Sequence, residues 1–266
     1  MTVRMPIHSA TFALAIAALA PLPLLAGADK IAFPENWDKG VLYGTVDRYD
    51  IKQHRELYST KPAVDAVKAG KPIPSGTVLT LVQYKAKLDD KGAPVKGPDG
   101  KFIKGDLVAY TVMEKRTGWG TEYKDDIRNG EWEYQVFTAD KKPNEKANIN
   151  SCFQCHKPHE KQDFVMTLAK LSGTAPGAKP VPKTGAVVAI ADFLFGPEKI
   201  EAKVGQSITW ANTDDSPHQV TISGPNGRRS ALILKGQTES LTFTESGTYA
   251  YICGLHPNMK GTIEVK

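Results

Sequence analysis

Alternation of apolar and polar positions runs along most of this chain and stops in one internal stretch, which divides it into a front and a rear part. In the front part, Thr77 to Leu88 alternates and is rich in β-formers, so a strand is predicted there. A Gly/Pro/Asp loop from Asp89 to Lys101 follows, and Asp106 to Arg116 returns as a partner strand. Asn129-Gly130 is a hairpin signal leading into a strand over Glu131 to Thr138. Helical patterns are rarer. Pro62 and Gly70 bracket a short helix over Ala63 to Ala69, and Asp163 to Leu171 reads as another, stopped by Gly173. In the rear part the runs are short and β-rich: Val187 to Ala191, Lys199 to Val204, Ser207 to Trp210, Gln219 to Ile222, Glu239 to Phe243, Thr248 to Cys253 and Gly261 to Val265. So many strands in so short a length predict a sandwich. The expected fold class is mainly β, an α+β unit followed by an all-β one.

The dividing stretch, Gly173 to Thr184, is Pro/Gly/Ala/Lys-rich and has almost nothing to bury, which is the composition of a spacer. Residues 29–172 and 185–266 are then the expected domains, and 266 residues suffice for two cores. Residues 1–28 are set apart as a leader. Arg4 precedes an apolar run from Ala10 to Leu25, broken by Pro21 and Pro23, and Ala26-Gly27-Ala28 fits a cleavage site near Ala28/Asp29. The run is short for a membrane span, and no other stretch approaches that length. The expected product is an exported, periplasmic protein with no membrane segment after signal cleavage. The net charge of +5 is confined to the front part, since residues 185–266 carry a net −1. That mild bias can steer an acidic partner. It falls far short of the basic clustering that nucleic-acid binding needs.

All three cysteines fall in two short motifs. Cys152-Phe153-Gln154-Cys155-His156 has the spacing of covalent c-type haem attachment. Two thiols add across the vinyl groups, and the histidine beside the second thiol ligates iron. A Cys152–Cys155 disulfide, or a zinc site that draws in His159, is the competing reading of a motif expected in a loop. His54 and Met113 are the possible sixth ligands, but His54 lies among charged residues and reads as solvated, and Met113 reads as core. The expectation is an open distal face. The second motif, Cys253-Gly254-Leu255-His256-Pro257-Asn258-Met259, together with His218 upstream, matches a type 1 copper centre with two imidazoles, a thiolate and a weak thioether. No second histidine cluster suggests a catalytic type 2 copper, and the residues alone assign no catalytic side chain.

Several front segments resemble the cytochrome P-460 family, which includes the gas-binding cytochromes c′-beta. They are Tyr43 to Arg48, Pro74 to Val78, Val112 to Arg116, Asn129 to Tyr134 and Cys152 to Lys157 with Asp163-Phe164. The resemblance spans most of residues 35–168. It implies a β-rich, often dimeric domain whose five-coordinate haem faces a small pocket and meets hydroxylamine, nitric oxide or carbon monoxide. Hydroxylamine-oxidising members cross-link a lysine to the haem. Leu81 stands at that place here, with Lys85 further along the same strand face. The rear part is similar to cupredoxins, amicyanin above all, over Trp210 to His218 and Cys253 to Gly261. That implies a Greek-key sandwich that shuttles electrons, with Gln219 where the family usually carries Asn. The combined expectation is a periplasmic haem–copper redox protein in which a small nitrogen species reacts at the haem. Electrons then pass to the type 1 copper and on to a soluble electron-transfer partner. A non-enzymatic gas binder or a plain electron-transfer protein is the alternative.

Overall fold

The computed structural model describes residues 30–174, 186–224 and 227–266. The leader expected over 1–28 lies outside them, as does the spacer beyond Thr174.

The front part is one five-stranded antiparallel sheet in sequential order: β1 (Val41–Arg48), β2 (Gln53–Ser59), β3 (Thr77–Ala86), β4 (Lys104–Lys115) and β5 (Trp132–Thr138). Three helices accompany it: α1 (Lys61–Lys68), α2 (Ile149–His156) and α3 (Leu168–Ser172). Strand periodicity of two sorts its side chains onto two faces. Leu79, Met113 and Tyr134 are cross-strand neighbours and pack with Ile149, Phe153 and Leu171 of the helices. Val82, Tyr110, Val112 and Phe137 point the other way, onto Ile31, Phe33 and Trp37. Leu57, Leu81, Thr111 and Val136 form a continuous row across four strands, in phase with Leu79 and Met113 and therefore on the helix-covered face.

Several expectations for this part need correction. β1 and β2 are additions to the expected strands: a register shift at Tyr43 interrupts the alternation of the first, and the second is mostly polar. His54 was expected to be solvated; it is buried, and its Nδ1 lies 2.7 Å from Asp47 Oδ1. Asp47 also accepts a hydrogen bond from the Phe102 N–H, so the buried pair is anchored. Asn129-Gly130 makes no two-residue hairpin, since residues 116–131 separate β4 from β5. Asn129 is instead fully buried and donates to Tyr134 Oη at 2.9 Å and to the Phe153 carbonyl at 3.1 Å, joining α2 to β5. The helix expected over Asp163 to Leu171 forms only at α3. Asp163 and Phe164 adopt φ of 50° and 60°, a left-handed pair that breaks any helix there. The Cys152–His156 motif, expected in a loop, lies within α2.

The rear part is a sandwich of two four-stranded sheets. Its strands are β6 (Ala186–Ala191), β7 (Leu194–Gly196), β8 (Lys199–Ala202), β9 (Ser207–Asn212), β10 (Val220–Ile222), β11 (Thr238–Thr242), β12 (Gly247–Cys253) and β13 (Lys260–Val265). One sheet runs β10-β12-β13-β8 and the other β11-β9-β6-β7. The β13–β8 and β6–β9 pairs are parallel. Val188, Ile190, Ile208 and Trp210 meet Val220, Tyr251 and Ile263 between the sheets. Every strand expected from the pattern is present within a few residues; the three-residue β7 is an addition. Among the described residues, no helix is long and apolar enough to cross a membrane.

Asn129→Ala removes the donor of the Tyr134 hydroxyl and the tie to the Phe153 carbonyl, which keeps only the Lys157 N–H. It is expected to lower the unfolding free energy of the chain by about 2 kcal/mol, measured by denaturant titration.

Candidate functional site

The rear site begins with strand pairing. β10 is antiparallel to β12 with Val220 opposite Cys253, so the residue two before Val220 comes to lie beside the cysteine. Its partner loop is a compact turn. The His256 N–H donates to Cys253 O (3.2 Å), Met259 N–H to His256 O (2.9 Å) and Cys253 N–H to Met259 O (3.1 Å). Three donor atoms converge as a result. Cys253 Sγ is 3.6 Å from His218 Nδ1 and 3.5 Å from His256 Nδ1, and the two nitrogens are 3.3 Å apart. An ion at the centre of this triangle would be about 2 Å from each atom, the bonding distance of imidazole and thiolate donors. His218, Cys253 and His256 form a metal-ligand cluster, and Met259 is buried in the same loop. Burial acts to raise the Cys253 thiol, but hydrogen bonds from His218 and His256 outweigh it and hold the pKa down to about 5.

Two residues that complete this site carried no motif. Asp214 Oδ2 is 3.0 Å from His218 Nε2, on the side of the ring away from Cys253. The same carboxylate accepts from the backbone N–H of Asp192 (2.7 Å) and Phe193 (3.0 Å). Burial would raise Asp214, yet His218 and the two backbone donors hold it below the usual carboxylate value. A carboxylate so placed fixes the ring orientation and tautomer of the histidine. Phe193 packs edge-on to both imidazoles, 5.3 Å from His218 and 4.9 Å from His256 between centroids. The available signal for Asp214 was its place four residues before a ligating histidine; Phe193 had none. Gln219 joins the two ligand loops through its backbone, since its carbonyl accepts from Gly254 N–H at 2.8 Å, while its side chain turns to Ser230 O. A Cβ on Gly254 would meet Gln219 Oε1 at 2.7 Å and Thr221 Oγ1 at 2.9 Å, so a larger residue here must displace those side chains.

In the front part, Cys152 and Cys155 are free thiols one helical turn apart, on a common face of α2. His156 closes the helix. Its Nδ1 is 2.7 Å from the Phe164 carbonyl, an acceptor that the left-handed Asp163-Phe164 pair turns toward it. Nδ1 therefore donates, and Nε2 keeps its lone pair for a metal. Burial pushes His156 down to about 4, which keeps the ring neutral. The Tyr134 ring lies 5.0 Å away. Thr45, Arg55, Leu57 and Leu81 of the front part, with Asp192, Phe193 and Asp214 of the rear part, line a cavity of about 390 Å³ between the two; the thiols and His156 are not part of its lining. Burial and the nearby Arg48 bring the Arg55 guanidinium down to about 9, and Arg55 hydrogen-bonds Gln53 and Gln83. Lys85 is exposed and faces Asp106 at 3.9 Å. His54 lies on the opposite face of the sheet, and Met113 belongs to the core under the helices. Neighbouring free thiols, a neutral imidazole with one nitrogen already bonded, and an apolar wall suit a thiol-anchored porphyrin.

Residues 34–167 match the family model for cytochrome P460, and residues 164–265 match that for the cupredoxin-like domain. The chain belongs to the cytochrome P460 family, with a cupredoxin-like domain as its rear part. The two together define a haem and copper redox protein. The rear part is 35% identical to amicyanin-alpha of Methylorubrum extorquens over 107 residues, 39% of this chain and 90% of that protein. It is 38% identical to amicyanin of Paracoccus denitrificans over 84 residues, 30% of this chain and 64% of the relative. The crystal structure of amicyanin from Paracoccus versutus aligns at 30% identity and a TM-score of 0.31, covering 34% of this chain and 88% of that one.

Asp214→Asn removes the charge behind His218 while keeping its size. Copper affinity is expected to fall about 10- to 100-fold, read by competition with a chelator of known affinity.

Proposed function

We propose that this is an exported redox protein that draws electrons from a small nitrogen species, hydroxylamine or nitric oxide. The reaction would take place in the front pocket, and the electrons would pass through the rear centre to a soluble acceptor. The observation that carries the reading is the pairing, in one chain, of the thiol-and-imidazole helix α2 with the His218–Cys253–His256 triangle. Cys152 and Cys155 would anchor a c-type haem, with His156 on its iron. His218, Cys253 and His256 would hold copper through two imidazoles and a thiolate, and Met259 would offer a thioether from the same loop. When bound, the two metals supply one-electron couples.

The protein's own groups prepare these sites. The Phe164 carbonyl holds the His156 ring with its Nε2 free. Leu57 and Leu81 supply the apolar part of the cavity wall, and Arg55 offers a cation there to a polar ligand. Asp214 keeps His218 aligned. The leader expected over residues 1–28 supports a periplasmic setting, and the amicyanin relatives support a carrier role for the rear part.

One observation favours a second reading, a non-enzymatic binder of nitric oxide or carbon monoxide. Leu81, not lysine, stands in the row opposite Leu57 and Thr111, and Lys85 faces solvent. The reduced protein is therefore expected to show an ordinary five-coordinate c-type spectrum, without the strong red shift of a lysine-linked haem.

The deciding experiment adds hydroxylamine to the oxidised, fully loaded protein and follows the thiolate-to-copper band, at about 600 nm for such sites. Bleaching that recurs as an acceptor reoxidises the protein is expected for the redox enzyme. A band left intact by hydroxylamine and nitric oxide alike supports the binder.

A further inference from the structure

The hairpin turn between β6 and β7 is built in an unusual way. Ala191 pairs with Leu194, so Asp192 and Phe193 alone make the turn, at φ of 52° and 58°. Such type I′ turns favour Asn-Gly, and a bulky side chain in the left-handed region is a strained outlier. The Asp214 carboxylate holds the turn by accepting from both of its N–H groups. A phenylalanine at a turn tip is ordinarily exposed, yet Phe193 is only 3% exposed. The rear core and the two imidazoles cover part of it, and the front part covers its outer face. The Arg48 guanidinium lies over its ring, 3.8 Å from the centroid. Arg48 is itself held by a two-point contact with Asp50, Nε to Oδ1 at 2.7 Å and Nη2 to Oδ2 at 2.5 Å.

Further contacts surround this stack. Tyr49 N–H donates to Asp192 O at 3.4 Å, Lys170 of α3 pairs with Asp215 at 2.8 Å, and Val46 packs against the rear core. Asp215 sits between that lysine and Lys235 of its own part, at 2.6 Å. A cation on an aromatic face away from water is a favourable pairing.

We propose that the front and rear parts dock as one body through the Asp192-Phe193 turn, with Arg48 and Phe193 as positioning residues that hold the imidazole end of the copper site against the front pocket. Arg48 grips the outer face of Phe193, whose edges touch both His218 and His256. The strained turn, kept in place by Asp214, is the device that presents that ring. Strain of this kind persists where surrounding structure enforces it, and it clusters at functional contacts. The docking stands on these contacts alone; that it sets the haem-to-copper separation rests on the function proposed above.

The test compares the full-length, metal- and haem-loaded protein with its Arg48→Ala variant by small-angle scattering and by hydrogen exchange. It also follows transfer of one electron from flash-reduced ferrous haem to cupric copper, which leaves ferric haem and cuprous copper. In the wild type, scattering should report one compact body, with slow exchange across 44–50 and 190–194. In Arg48→Ala the radius of gyration should rise, exchange in both segments should speed up, and the transfer rate should fall about tenfold or more as effective concentration drops. The blue band should be unchanged. Arg48→Lys, which keeps a cation over the ring, should recover part of each effect. Wild-type scattering that fits two independently moving bodies, or an Arg48→Ala protein equal to wild type in all three measurements, would overturn the docking. Should Arg48→Ala fail to fold, Asp215→Ala cuts the Lys170 link and must give the same opening, or the docking is rejected. Hydroxylamine enters none of these measurements. A docked protein inert to it would refute the proposed substrate and leave the docking intact.

Discussion

The short antiparallel pairing of β10 with β12 is the constraint on which the rear site depends. A histidine and a cysteine 35 positions apart come within 3.6 Å because Val220 faces Cys253 across that ladder. A slip of one residue would turn every side chain of β10 to the other face of the sheet. The Gly254-to-Gln219 backbone bond sits at the mouth of the same ladder and prevents that slip. The remaining parts build on this register: Asp214 reaches His218 from behind, and through its other contacts it fixes the turn that carries Phe193.

The front site follows from a different rule, the two-fold alternation of a sheet. Because Leu57, Leu81, Thr111 and Val136 share a phase with the residues packed under α2, the face that meets the thiol-bearing helix is apolar along its centre. Asn129 and the left-handed Asp163-Phe164 pair then position that helix from two sides. One ties its backbone to β5, and the other aims a carbonyl at His156. Polar side chains here act mainly by placing backbone, which is the usual use of a buried amide.

Much of this was readable in the sequence. The rear strands announced themselves by alternation between turn residues, and the ligand residues by spacing, because short loops leave little freedom in where their side chains point. The front sheet was only half legible. In β2 three of the four buried positions are polar; two of them, His54 and Glu56, satisfy their polarity through Asp47, Lys104 and Tyr58, and no hydropathy pattern reveals that. Asn129-Gly130 has the composition of a hairpin, and tertiary contacts with Phe153 and Tyr134 gave it another use. Phe193 was invisible, and Asp214 showed only by its spacing to His218, for a plainer reason. Their roles come from a turn that folds back on a loop more than twenty residues away, and nothing local records that meeting.

The sulfurs of the two halves stand in different protonation states at neutral pH. Burial, and then the neighbouring Cys155, push Cys152 up to about 11, so it is kept as a thiol, whereas Cys253 is held near 5 by its imidazole neighbours and stands as the thiolate that binds metal ions. One chain thus keeps one sulfur protonated and another ionised, by desolvation at one end and by ring N–H donors at the other.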